Sequence, residues 1–171
     1  MTRTGVSLLT IGTALSLALL TGCAETGPSL VGNPAPDFTV QKVIGSGEVS
    51  LKALQGRVVL LDFWGTFCEP CKKSFPKLQD LYARYKPQLV ILGISEDDEK
   101  DDIPGFVDTF KARFLIAWDN GKAVAPKYPI DTMPSSFLID KKGVVRYAHL
   151  GYHAGEEVEI EEEIKQLLAE K

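Results

Sequence analysis

Two thiols three positions apart, Cys68 and Cys71, sit in "LLDFWGTFCEPCKKSFPKL", where an apolar run ends and a helical pattern begins. A cysteine at a helix start faces unpaired backbone N–H groups and the positive end of the helix dipole, which stabilise a thiolate. Such settings bring a thiol from about 8.5 into a range of roughly 3.5–7.5, and the thiolate is the attacking species in disulfide exchange. Two intervening residues let the second sulfur reach the first. Cys68 is therefore expected to attack a substrate disulfide, and Cys71 to resolve the mixed disulfide. Pro70 suits an early helical position, where no N–H is missed. A structural bridge or half of a zinc site would draw on the same residues. A bridge closing so short a loop stabilises little, and structural zinc wants four ligands. No second C-x-x-C exists, and the two histidines, His149 and His153, lie far along the chain.

The elements that must hold the pair follow from hydrophobic patterning. "RVVLLDFW" and "QLVILGIS" are continuous apolar runs, the pattern of strands buried on both faces of a sheet. Phe75, Leu78, Leu81, Tyr82 and Tyr85 recur at helical spacing, predicting a helix over residues 72–85. "DFTVQKV" predicts an edge strand turning at "GSG", and "SEDDEKDDIPGFVDTFKARF" a charged loop followed by a helix near residues 104–112. "FLIAWD" reads as a short strand and "NGKAVAPKYPI" as a helix or loop. "SSFLID" and "GVVRYAHL" flank residues 141–143 as a hairpin. The final segment places Ile160, Ile164, Leu167 and Leu168 on one helical face, with its acids early, where the dipole favours them. This order predicts an α/β sandwich around a mixed central sheet.

At 171 residues and 44% apolar composition, the chain fits one domain plus a targeting segment. A net charge of −4 and a pI near 5.2 argue against nucleic-acid or polybasic membrane surfaces. Arg3, an uncharged run over residues 6–20 and the small residues of "LTGC" form the pattern of a secretory signal. The run is shorter than the ~20 apolar residues that span a bilayer comfortably. "L-T-G-C" resembles a bacterial lipobox, which implies acylation of Cys23, cleavage before it and a thioether in place of its thiol. Residues 1–22 are thus expected to be a lipoprotein signal peptide, 23–33 a flexible tether and 34–171 the folded domain.

From about Pro34 onward the chain resembles the thioredoxin superfamily, in its extracytoplasmic TlpA-like/ResA-like branch. The residues that carry the likeness are "APDF", "VVLLDFWGTFCEPCKKSFP", "MPSSFLIDKKGVV" and the closing "LGY…I…LL". The resemblance implies a thioredoxin-like fold: a mixed central β-sheet flanked by helices on both faces, with an N-terminal strand extension and a central αβ insertion at "DDIPGFVDTFKARFLIAWD". It implies that Asp62, six before Cys68, is a buried acid relaying a proton to the resolving cysteine, with its pKa raised by burial. Trp64 matches an aromatic that buttresses the motif, and Phe67 stands where many relatives have Trp. Glu69 and Pro70 complete the motif surface, and Pro76 matches a helix-kinking proline. Pro134 matches the family's cis-proline, whose loop faces the cysteines, so that the backbone of Met133 can pair with an incoming peptide as an added strand would. Relatives with C-E-P-C often carry Glu where this chain has Ser74, and some have Asn at position 62.

Taken over to this chain, the likeness implies a redox disulfide between Cys68 and Cys71 in a membrane-tethered oxidoreductase acting on protein disulfides outside the cytoplasm. It implies a monomer without cofactor, metal or nucleic acid. Pro70 and the acid at 62 resemble reducing members, and Glu69 replaces the His of strong oxidants. A reductant there needs imported electrons, so a membrane dithiol donor of the CcdA/DsbD kind is the implied partner. Exported proteins, apocytochrome c among them, are the implied clients, and the lipid anchor holds the chain on the periplasm-facing side of a bacterial membrane. Two rivals share the fold. A copper-delivery (Sco-like) protein uses cysteines separated by three residues plus a distal His, against two residues here. A thiol peroxidase shares the "APDF" opening but uses P-x-x-x-T-x-x-C, absent from this sequence.

Overall fold

The computed structural model describes Met1 and residues 29–170. The strands in chain order are β1 (Thr39–Lys42), β2 (Glu48–Ser50), β3 (Val58–Trp64), β4 (Leu89–Ser95), β5 (Leu115–Trp118), β6 (Ser135–Ile139) and β7 (Val145–Leu150). The helices are α1 (Glu69–Tyr85), α2 (Ile103–Thr109) and α3 (Glu156–Ala169). All seven strands form one sheet in the order β2-β1-β5-β4-β3-β6-β7. β4 runs parallel to both β3 and β5, while β6, β7 and β1 pair antiparallel with their neighbours. The sheet is therefore mixed.

β3 and β4 are buried along their whole length, as continuous apolar runs require. Their alternate residues feed two cores. Val58, Leu60 and Trp64 face α1, α2 and α3 through Phe75, Phe106 and Ile164. Val59, Leu61 and Phe63 face Phe38, Leu54, Val124 and Tyr128. The second face is thus covered by the N-terminal segment and two single-turn 3₁₀ helices, Lys52–Leu54 and Ala125–Lys127. At the far end of α1 the guanidinium of Arg84 and the hydroxyl of Tyr85 both donate to Glu161 of α3, at 2.5 Å each.

Some boundaries differ from the sequence pattern. α1 begins at Glu69, because Cys68 caps a first turn too polar to show periodicity. α2 stops at Thr109, shortly before Lys111 adopts a left-handed backbone (φ 53°). β1 is not the edge: the three-residue β2 pairs outside it.

Residues 1–22 and Cys23 to Pro28 of the expected leader and tether lie outside the described residues, apart from Met1. The remainder of the expected tether contacts the sheet. Gly32 N–H donates to the Val145 carbonyl at 2.8 Å, Val145 N–H donates to that of Asn33 at 3.0 Å, and Pro34 bridges Val144.

Candidate active site

Strand β3 ends at Trp64, and a short turn, closed by Cys68 N–H donating to the Gly65 carbonyl at 3.1 Å, leads into α1. That turn is pinned from β4. Asp97 accepts from the Thr66 N–H and, at 2.5 Å, from its hydroxyl, and the Ser95 hydroxyl donates to the same carboxylate at 2.6 Å. Asp97 carries no motif that singles it out; its position just past a central strand, facing the motif turn, is a product of the fold.

Cys68 is the N-cap of α1, with extended backbone, and its sulfur accepts from Cys71 N–H at 3.2 Å. An N-cap sulfur in this place meets the unpaired N–H groups that favour negative charge. Cys68 and Cys71 are bonded to each other, with Cα atoms 5.3 Å apart. Cys68 keeps 7% of its surface exposed and Cys71 none. Pro70 occupies the first turn, Glu69 faces solvent and pairs with Lys72, and Pro76 lies inside the helix. Ser74 is buried and its hydroxyl donates to the Cys71 carbonyl at 3.1 Å.

Both cysteines pack in the same core as Trp64, whose ring lies 4.4 Å from that of Phe75 and 4.7 Å from that of Phe106. Asp62, two residues before Trp64 on the same strand face, is completely buried. Ser136 of β6, its cross-strand partner, donates its hydroxyl to Asp62 Oδ1 at 2.6 Å, and Oδ2 has no protein partner. Burial pushes the Asp62 carboxyl up to about 7; the Ser136 hydrogen bond opposes this and the Glu156 charge adds to it. Asp62 can therefore hold or release a proton near neutrality, as a general base for a thiol must. Ser136 escaped the sequence reading because its partner lies 74 positions away.

Antiparallel pairing of Phe63 with Ser135 places Pro134 level with Trp64, the last residue of β3, where the motif turn begins. The Met133–Pro134 peptide bond is cis. Met133 packs against the core that contains the cysteines, and together with Phe67 it lines a cavity of about 590 Å³ beside them. Phe67 is 63% exposed, its ring folded over Gly65. Cys68, Cys71, Asp62, Trp64, Phe67, Met133 and Pro134 thus converge on one end of the sheet. Cys23 lies outside the described residues. Among the described residues no group of three or more His, Cys, Asp or Glu is placed to hold a metal ion, and His149 is engaged by Glu163 at 2.7 Å.

The model of the AhpC/TSA family matches residues 31–148. Thiol-disulfide oxidoreductase ResA of Bacillus thuringiensis (strain Al Hakam) is 34% identical over 156 residues, 90% of each chain. Thioredoxin-like protein YneN of Bacillus subtilis is 30% identical over 131 residues, 75% of this chain and 76% of its own. Among solved structures, a thiol:disulfide interchange protein DsbE from Chlorobium tepidum superposes with a TM-score of 0.77 at 33% identity, covering 81% of this chain and 98% of that one.

Proposed function

The chain belongs to the AhpC/TSA family and is a thioredoxin-like thiol-disulfide oxidoreductase, and from that premise we propose that it reduces protein disulfides outside the cytoplasm through Cys68 and Cys71. In the dithiol state the Cys68 thiolate attacks one sulfur of a client disulfide. A Cys68–client bond forms as the client bond breaks, and the released client thiolate takes a proton. Asp62 then accepts the Cys71 proton, and the Cys71 thiolate attacks the Cys68 sulfur. The intramolecular disulfide closes and the second client thiol leaves. Two electrons have passed to the client, and a dithiol donor must return them by attacking Cys68. Pro134 and Met133 would hold the client backbone beside the sulfur, with Phe67, Trp64, Glu69 and Pro70 shaping the contact.

The observation that carries this reading is the asymmetry of the pair: a helix-capping cysteine that keeps 7% of its surface exposed, bonded to one that is sealed in the core. The reducing direction rests on Pro70, Asp62 and the acidic Glu69. Tethering rests on the lipobox-like "LTGC", with Cys23 acylated, residues 1–22 removed, and a membrane dithiol carrier as donor; maturation of an exported cytochrome c is one service such a reductant performs. No helix among the described residues is long and apolar enough to cross a membrane.

The test is a Cys71→Ser variant, which is expected to accumulate client proteins as mixed disulfides through Cys68 that dissolve on adding dithiothreitol. A Cys68→Ser variant should trap none. If Cys71→Ser traps nothing in cells that express it, the exchange reading fails.

A further inference from the structure

The cavity beside the cysteines has an uneven lining. Phe67, Pro129, Ile130 and Met133 give it an apolar wall. The same lining holds three carboxylates, Glu96, Asp98 and Asp131, and the ammonium of Lys122. Lys122 reaches Asp98 at 3.5 Å and Glu96 Oε2 at 4.0 Å, and its other contact is the Glu96 backbone carbonyl. The Glu96 side chain is only 9% exposed, and its Oε1 is buried without a hydrogen-bond partner.

A buried carboxylate oxygen without a donor is costly to maintain, and an approaching cation relieves it. The surroundings deepen the negative potential. Asp97 and Asp119 also bear on Glu96, with their own oxygens taken up by Thr66, Ser95 and the N–H groups of Ala123, Val124 and Ala125. Burial and then the Asp119 charge push the Glu96 carboxyl up to about 7, with Lys122 opposing them. Among the described residues no second cation joins Lys122 in the lining.

We propose that this groove selects client segments carrying a Lys or Arg beside the disulfide, the cation pairing with the Glu96 carboxylate while an adjacent apolar side chain packs on Phe67 and Met133. This rests on Cys68 being the attacking sulfur, because the groove orients clients only if the chemistry occurs at its edge. Glu96 is then a specificity-determining residue that takes no part in bond exchange.

The experiment uses the reduced full-length protein and three short peptides, each with one intramolecular disulfide and Lys, norleucine or Glu next to a cysteine. Reduction is followed as kcat/KM. The Lys peptide should exceed the norleucine peptide by about tenfold, the scale of one charge-assisted hydrogen bond, and the Glu peptide should be slowest. Glu96→Gln should bring the Lys-to-norleucine ratio close to one. Asp131→Lys, at an exposed loop position, should lower the same ratio and raise the Glu peptide's rate. Equal rates for all three peptides with the unaltered protein overturn the inference and leave disulfide exchange standing. A preference for Lys that survives both substitutions overturns it as well. Reduction of none of the peptides overturns the exchange reading itself, and this inference with it.

Discussion

Asp62 is held at about 7 in the folded protein and ionises near 3.8 in an unfolded chain. Between those values the native state binds more protons than the unfolded state, so this group lowers stability as pH rises across that window. The effect is at most roughly 4 kcal/mol by pH 8 and absent below the unfolded value. Asp62→Asn is therefore expected to raise Tm at pH 8 by several degrees and leave it nearly unchanged at pH 3.5, as read by thermal melts at both. The same substitution should slow the Cys71-dependent release of a trapped client by roughly 100-fold or more, the usual loss of a general base. Ser136→Ala removes the one bond that favours the ionised carboxylate. The pH at which Cys71-dependent release becomes fast should move upward in that variant, and a profile that stays in place would show Ser136 to be irrelevant to proton handling.

Strands β3 and β4 position this chemistry by passing close to each other. Gly93 of β4 lies directly opposite Asp62, and a Cβ there would stand 3.0 Å from Trp64 Nε1 and 3.3 Å from Ile116 and Phe114 atoms. Gly93→Ala should cost about 1–3 kcal/mol through overpacking, visible in denaturant unfolding together with a shift in tryptophan emission. Both strands were legible in the sequence because long apolar runs admit few other placements. The first turn of α1 was not, since "EPCKK" has no apolar period and the cap that starts the helix is a cysteine sulfur. β2 is three residues long and owes its existence to pairing with β1. In the site, Cys68, Cys71, Asp62 and Pro134 could be singled out by spacing and likeness to a family. Asp97, Ser136 and Glu96 could not, because each acquires its role only from the strand or turn the fold sets beside it.

At the scale of the molecule, the N-terminal segment belongs to the folded body earlier than its composition suggests. Residues 32–36 bond to Val145, Gly143 and, through the Pro36 carbonyl at 2.8 Å, the Tyr128 hydroxyl. A protein beginning at residue 29 sets the reference melting temperature. One lacking residues 1–36 leaves a largely buried tyrosine hydroxyl unpaired, at a cost of about 1–3 kcal/mol, and should melt several degrees lower. Equal melting of the two would show the docked segment to be ornamental. The sealed position of the sulfur at 71 also has a kinetic corollary. Donor and acceptor of electrons must both use the single doorway at 68, one after the other, and neither can be seated while its counterpart is. Turnover then follows ping-pong kinetics, giving parallel lines in double-reciprocal plots when donor and client are varied together.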